Sequence, residues 1–573
     1  VTGGRTDDDG DRAARLARSS SAVGSGILLS RFAGLLREKL LAYHLGTGLA
    51  AEAFRAALRI PNLLQNLLGD GVLTGAFVPT YARLVRDGRE QDAGRLAGAI
   101  ASLLVLVTGV LVTIGVVLAE PLTRLLTPGF PAGSPKTELT VALVRILFPS
   151  LGFLVLSAWC LGVLNAHRLF FRAYVAPVLW NASIIVALTV AAAAGRVDTE
   201  LARAVALGAL VGAVLQFLFQ LPAVLRVLPG IRPRVGADII GLREVLRASG
   251  GVILGRGIVQ LSAYLDLAIA SLLAAGAVAA LGYAQVLYLL PISLFGMSIA
   301  AASLPDLATI PVEQRDRLQG DVERGMRRVA SFVLPTAAIY LILGERAVAL
   351  LFGGGAFGIA ETRQVALVLG AYSLGLLAST QARLLQSALY GLDDTVTPAR
   401  IAAARVVIGT AIGVALMLVL DAYRWGPDGL SRVASLGIAD ATSRASTVSL
   451  HRLGAVGLAL GASVGAWVEW ILLRRALARR TRSTPVAGGW TRPFIASLAV
   501  VPAAPVGDLL LRVLDPRLQD APLALRAVVA LAPAGVLLMG AAVLLDLDDI
   551  PGVRRARGTL SGWGRRPPRR RTR

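Results

Sequence analysis

Arginines set inside apolar runs are the residues of this sequence best equipped for chemistry. Arg31, Arg37 and Glu38 interrupt one such run, and Glu52, Arg55, Arg59, Asn62, Gln65 and Asp70 follow closely. A charge at mid-membrane costs about 2.5–3.5 kcal/mol on insertion scales, so each needs a partner or a wet cavity. Arginine stays charged when poorly hydrated and presents paired donors that match phosphate oxygens. A chamber lined in this way suits an anionic headgroup. Arg55 and Arg59 are one helical turn apart and share a face, whereas Arg31 and Arg37 diverge by about 240° unless the helix bends near Gly34. The competing roles are an internal salt bridge to Glu38 or Glu52 for the first two arginines and interfacial snorkelling for the second two.

A second polar group, Arg256, Gln260 and Asp266, lies in a later apolar run, with Arg383, Gln386 and Glu469 as lesser candidates. Metal and thiol chemistry have little to draw on, because Cys160 is the single cysteine and His44, His167 and His451 are scattered. The adjacent carboxylates Asp393 and Asp394 begin a turn with no second acidic cluster near them, so a metal-dependent membrane enzyme is not expected. Tryptophans such as Trp159 read as packing or interfacial anchors.

The elements that must position these side chains are membrane helices. Of the 573 residues 55% are hydrophobic and 16% charged, against roughly 25% charged in a soluble domain. Apolar stretches near the ~20 residues that cross a bilayer recur along the chain. Helices are expected at 21–44, 63–86, 95–126, 137–166, 170–195, 200–228, 244–275, 277–304, 320–352, 362–391, 396–421, 452–476, 490–513 and 521–546. That gives an all-α integral membrane protein of about fourteen crossings, with no strand-like alternation to suggest a barrel.

The net charge of +22 gathers at helix ends instead of forming a basic face interleaved with aromatics, so it marks topology and not nucleic-acid binding. The rich loops include Arg83, Arg86, Arg89 and Arg95, then Arg226, Arg232, Arg234 and Arg243, then Arg474, Arg475, Arg479, Arg480 and Arg482. Both termini are therefore expected in the cytoplasm. Residues 1–20 read as a solvated cytoplasmic tail unlike a cleavable export signal, and 547–573 as a basic cytoplasmic tail attracted to anionic lipid.

Ile27 to Arg31 is echoed by Val252 to Arg256, Pro61 by Pro291, and Asn165 to Arg168 by Gly391 to Asp394, at an offset of roughly 225–230 residues. A steady offset argues for two homologous six-helix bundles, 21–228 and 244–476, joined by a linker at 229–243. Two extra helices occupy 490–546, and 422–451 is expected to be an extended, flexible outer loop.

Taken together, these residues resemble the MurJ/MviN lipid II flippases of the multidrug/oligosaccharidyl-lipid/polysaccharide exporter superfamily. The resemblance is carried by Ser30-Arg31 through Gly34 to Arg37-Glu38, Glu52-Ala53-Phe54, Arg59-Ile60-Pro61-Asn62 and Ala76-Phe77-Val78-Pro79. Leu164-Asn165-Ala166, Ala176-Pro177, Asn181, Gly355-Ala356-Phe357 and Tyr390 to Thr395 with Thr397-Pro398 extend it. It implies two lobes around a central cavity, a C-terminal groove for the lipid tail, and alternating access that carries a diphosphate-sugar-peptide headgroup outward across the bacterial inner membrane. By position Arg31, Arg37, Glu38 and Glu52 are implied cavity residues, the two glutamates standing where aspartates are more usual.

The chain departs from the family pattern in two places. Gln65 and Asn66 stand where an arginine is usual, and Gln285 and Val286 replace an acidic-arginine pair after Tyr283-Ala284. Arg256, or Arg55 with Arg59, is left to supply the missing phosphate donors. Asp266 matches the acidic ligand of sodium-coupled members, yet Arg405, Gly409 and Thr410 are poor partners for it, so Na+ and membrane potential both stand as driving forces. No cofactor is implied; the implied partners are lipid II, membrane lipids and cell-wall synthesis proteins. The alternatives are a flippase for another polyprenyl-diphosphate glycan and a non-transporting scaffold for cell-wall assembly.

Overall fold

The computed structural model describes residues 26–228, 239–296, 315–392, 394–426, 429–481, 490–518 and 522–545, with 547 and 553. The expected tail at 1–20, most of the tail at 547–573, most of the linker at 229–243, and Asp393 lie outside the described residues. The chain is an all-α membrane fold whose helices fall close to the expected ones. Helix α1 covers 26–45. Then come α2 (Leu49–Gln65), a wide π-helical stretch (Asn66–Phe77), α3 (Val78–Arg86), α4 (Glu90–Val117), α5 (Ala119–Leu126), α6 (Pro135–Ala166), α7 (Phe170–Ala193), α8 (Asp198–Val227), α9 (Leu242–Ala270) and α10 (Ala277–Pro291). After these follow α11 (Arg315–Ile342), α12 (Gly344–Phe352), α13 (Ile359–Ser373), α14 (Leu376–Gly391) and α15 (Val396–Leu420). Strands β1 (Tyr423–Gly426) and β2 (Gly429–Arg432) precede α16 (Ala441–Ala445), α17 (Gly454–Thr481), α18 (Thr491–Ser497), α19 (Val500–Leu518) and α20 (Leu523–Leu544).

Among the described residues nine helices are long and apolar enough to cross a membrane, or eleven if two bent pairs each count as one span. The expected figure of about fourteen is not reached by that measure. The pair α11 and α12 bends by 90° and the pair α13 and α14 by 44°.

Two expectations need correction. The second helix begins at Leu49 and not near 63, so Glu52, Arg55 and Arg59 lie within α2. The segment 422–451, expected as an extended, flexible outer loop, carries regular structure: β1 and β2 pair antiparallel, Tyr423 opposite Arg432, and Asp440 caps α16 through the Ser443 amide.

The described residues form two compact units. Unit 1 holds those up to Ala279 together with Ala439–Leu450. Several of its buried polar groups are satisfied within or between its helices, as a lipid environment favours. Thr108, Thr123 and Thr127 donate to carbonyls one turn back. Pro177 inside α7 has no amide to offer the carbonyl of Ala173, and the buried Gln220 of α8 supplies the missing donor at 3.3 Å. Gln220 Oε1 in turn accepts from Ser157 of α6 at 2.8 Å, and Ser157 Oγ accepts from Gln216 at 2.8 Å. At the start of α6, Ser134 caps the Thr137 amide and Pro135 takes the first turn, where no donor is needed.

Unit 2 comprises Ala280–Ile438 and the described residues from His451 onward. In it α15 and α17 cross closely, and a Cβ on Gly461 would collide with the Gly413 Cα. Such backbone approach is how membrane helices associate without a hydrophobic drive. Asp394 starts α15 by accepting from the Thr397 amide at 3.0 Å and hydroxyl at 2.8 Å, and it pairs with Arg480 at 2.7 Å. The Thr397 amide is the first cause holding this carboxyl below the usual range, with Arg480 adding to it. Asp394 is therefore a helix cap.

Candidate functional site

The expected polar cluster is assembled in unit 1 from α1, α2 and α7. Glu38, mostly buried on α1, is its hub. Arg37 Nη2 donates to Glu38 Oε1 at 2.6 Å and Arg55 Nη2 donates to Oε2 at 2.9 Å. Arg37 also donates through Nη1 to Asn181 Oδ1 at 3.0 Å, and its guanidinium lies 4.9 Å from the Trp180 ring centroid. A planar cation between a carboxylate, an amide and an aromatic face is held in one orientation.

Helix α7 positions the last two partners. Asn181 Nδ2 donates back to the Pro177 carbonyl at 3.0 Å, which turns its oxygen toward Arg37. Trp180 Nε1 is fixed on the Ala209 carbonyl of α8 at 3.0 Å. Gly34 of α1 leaves room beside Asn181, whose Oδ1 lies 3.9 Å from where a Cβ would stand. The sequence does not single out Trp180, and Asn181 enters there only as part of a motif. The available signal is a lone amide inside an apolar helix one turn past a proline.

The other expected site residues are placed as follows. Arg31 is partly buried on α1. Arg59 is partly buried on α2, and its carbonyl accepts from the Tyr264 hydroxyl of α9 at 3.3 Å. Asn62 and Gln65 are partly buried in the last turns of α2. Asp266 is exposed on α9. The side chains of Arg256 and Gln260 lie outside the described residues, although their backbone belongs to α9. Gln285 reaches the Tyr372 hydroxyl at 3.3 Å in unit 2, where Gln386 and Glu469 also meet.

Glu52 is not part of an open wall. Its side chain is 2% exposed and Lys136, at 1%, pairs with it at 2.6 Å. Glu52 Oε1 accepts from the Val278 amide at 2.9 Å, and Lys136 also donates to the Arg444 carbonyl at 2.7 Å and sits 5.0 Å from the Phe130 ring centroid. The segment carrying Arg444 is fastened alongside by backbone bonds. The Ala275 amide donates to the Ser443 carbonyl, the Leu49 amide to the Thr447 carbonyl, and the Leu450 amide to the Ala275 carbonyl. Gly276, at φ +98°, permits this approach, since a Cβ there would collide with Ser449 Oγ. In this conformation Glu52 holds the fold of unit 1 together.

Chemically, the cluster gathers guanidiniums around one carboxylate: Arg37 and Arg55 both bond Glu38, Arg31 is on the same helix as Arg37, and Arg59 is on the same helix as Arg55. Fixed cations in a poorly hydrated setting favour an oxyanion. Among the described residues no group of three or more His, Cys, Asp or Glu side chains is placed to hold a metal ion.

Comparison with known proteins gives several matches over most of the chain. The family profile described as lipid II flippase MurJ matches residues 41–515. The probable lipid II flippase MurJ of Rhizobium tropici is 32% identical over 484 residues, 83% of this chain and 86% of that protein. The lipid II flippase MurJ of Burkholderia cenocepacia is 30% identical over 485 residues, 84% of this chain and 87% of that protein. A solved lipid II flippase MurJ in an inward closed conformation superposes with a TM-score of 0.68 at 18% identity, covering 92% of this chain and 99% of that one. An inward-facing MATE family transporter of the MOP superfamily gives a TM-score of 0.57 at 16% identity, covering 79% of this chain and 96% of its own. The last two likenesses speak for the fold.

Proposed function

The chain belongs to the lipid II flippase MurJ family, and on that premise we propose that it carries lipid II, a polyprenyl-diphosphate-linked glycopeptide, from the cytoplasmic to the outer face of the bacterial inner membrane. The observation that carries this reading is the Arg37–Glu38–Arg55 cluster braced by Asn181 and Trp180. It offers oriented guanidiniums to a diphosphate at membrane depth, where unpaired charge is costly. The polyprenyl chain stays in lipid while the headgroup exchanges sides by alternating access. The protein is a transporter and makes or breaks no covalent bond in this cycle.

An outward-moving anion is driven by an inside-negative potential, about 2.3 kcal/mol per charge per 100 mV. Membrane potential is therefore the preferred driving force, and exposed Asp266 is the residue that a Na+-coupled cycle would use. Both termini face the cytoplasm in this reading. Complementation of a strain depleted of its own lipid II flippase tests it: growth is expected from the wild-type chain and not from Arg37→Ala. Well-expressed wild-type protein that fails to restore growth would rule the reading out in favour of another polyprenyl-diphosphate glycan or a scaffold role.

A further inference from the structure

Unit 2 contains a polar cluster that the diphosphate reading does not use. Glu469 of α17 is 2% exposed, and both of its oxygens are engaged: Gln386 of α14 donates to Oε1 at 2.8 Å and Arg405 of α15 donates to Oε2 at 2.6 Å. One helical stripe of α14 presents Ser379, Arg383 and Gln386, spaced by four and then three residues. Ser379 accepts from the Tyr288 hydroxyl of α10 at 2.6 Å, and the Tyr288 ring stacks on Tyr372 with centroids 5.0 Å apart. Arg383 sits between these two hydrogen-bonded neighbours along α14, one turn from Ser379 and three residues before Gln386.

Which way this stripe faces follows from burial. Between Leu376 and Gly391, Arg383 and Tyr390 are the exposed residues, with Gln386 partly exposed between them. A stripe turned to lipid would be apolar, as on α15, where Val407, Ile408 and Val419 are exposed. The open stripe of α14 is polar and therefore faces water. Glu469 is taken up by Arg405 and Gln386, and Arg383 is the exposed cation of the stripe.

We propose that this cluster is a second oxyanion site, wholly within unit 2, which takes a carboxylate from the peptide portion of the headgroup. Arg383 makes the contact, and Glu469 with Gln386 holds Arg405 beside it. One exposed guanidinium suits one carboxylate on a peptide or sugar better than a diphosphate, which the arginine-rich cluster of unit 1 matches. The proposal rests on the lipid II reading above.

The test is binding to the full-length protein in lipid nanodiscs, comparing lipid II with free peptide carboxylates, the same lipid with those carboxylates amidated, and undecaprenyl diphosphate. Arg383→Ala is expected to weaken lipid II about tenfold and to leave undecaprenyl diphosphate within about twofold, while Arg383→Lys recovers part of the loss. Amidation is expected to weaken binding to the wild type and to have no further effect on Arg383→Ala. Unchanged lipid II binding by Arg383→Ala, or an equal loss for all three lipids, overturns the site while the flippase reading stands. Wild-type protein that binds none of the three lipids overturns the flippase reading and this proposal with it.

Discussion

Arg37 and Arg55, on neighbouring helices, hold opposite oxygens of one carboxylate, Glu38, at 2.6 and 2.9 Å. The arrangement fixes where two cations point. Charge that would be costly in lipid is thus held in oriented, charge-assisted bonds.

Removing that carboxylate is expected to disorder both guanidiniums. Glu38→Gln keeps the shape and loses the charge-assisted bonds, so outward flipping of lipid II in proteoliposomes is expected to fall by about tenfold or more, equivalent to ~1.4 kcal/mol. Glu38→Asp keeps the charge and is expected to retain most of the rate. Wild-type flipping by Glu38→Gln would show that the hub does not position the arginines.

The Lys136–Glu52 pair gives a stability prediction. Breaking a buried pair from one side leaves an uncompensated charge and costs about 3–5 kcal/mol, whereas neutralising both partners costs far less. Lys136→Met is therefore expected to lower the thermal unfolding temperature in detergent, and Lys136→Met combined with Glu52→Gln to recover part of it. If the single variant melts like the wild type, the pair is not the brace described.

Gln220 is the donor that makes Pro177 tolerable. In Gln220→Leu the Ala173 carbonyl and the Ser157 hydroxyl both lose a buried partner, at about 1–3 kcal/mol for each group left unsatisfied. Lower thermal stability is expected, and the double variant Gln220→Leu with Pro177→Ala should regain some of it by restoring an amide to α7. Additive losses in the double variant would contradict the proposed link.

Most helices are legible in the sequence because apolar runs of membrane length are a local signal. The start of α2 is not, since Glu52 and Arg55 look like a connector until Lys136 and Glu38 are known to meet them. Such pairing spans large sequence separations, which no window can hold. The same reason hides the role of Trp180 among interfacial anchors and turns Glu52 from an expected cavity residue into a buried brace. The 422–451 segment escapes a local reading because its order comes from backbone bonds to distant residues such as Ala275 and not from apolar periodicity. Arg37, Glu38 and Arg55 stand out because charge inside an apolar run is itself a strong local anomaly.

His167 supplies a pH prediction. It lies just past α6, outside the membrane-spanning stretch, and its Nε2 is 2.8 Å from the Tyr81 hydroxyl. Burial lowers its pKa below the ordinary value, while the charge of Glu90 opposes the shift. The folded state therefore favours neutral imidazole, which can accept the Tyr81 proton, and the unfolded chain binds a proton more readily. Stability from this contact is present above the unfolded value of about 6.5 and is lost as pH falls through the lowered folded value. Thermal unfolding measured between about pH 7.5 and pH 5 is expected to show a steeper acid loss for the wild type than for His167→Gln, which keeps an acceptor and does not titrate. Parallel profiles would remove His167 as the titrating group, because a fall common to both proteins must come from carboxylates elsewhere.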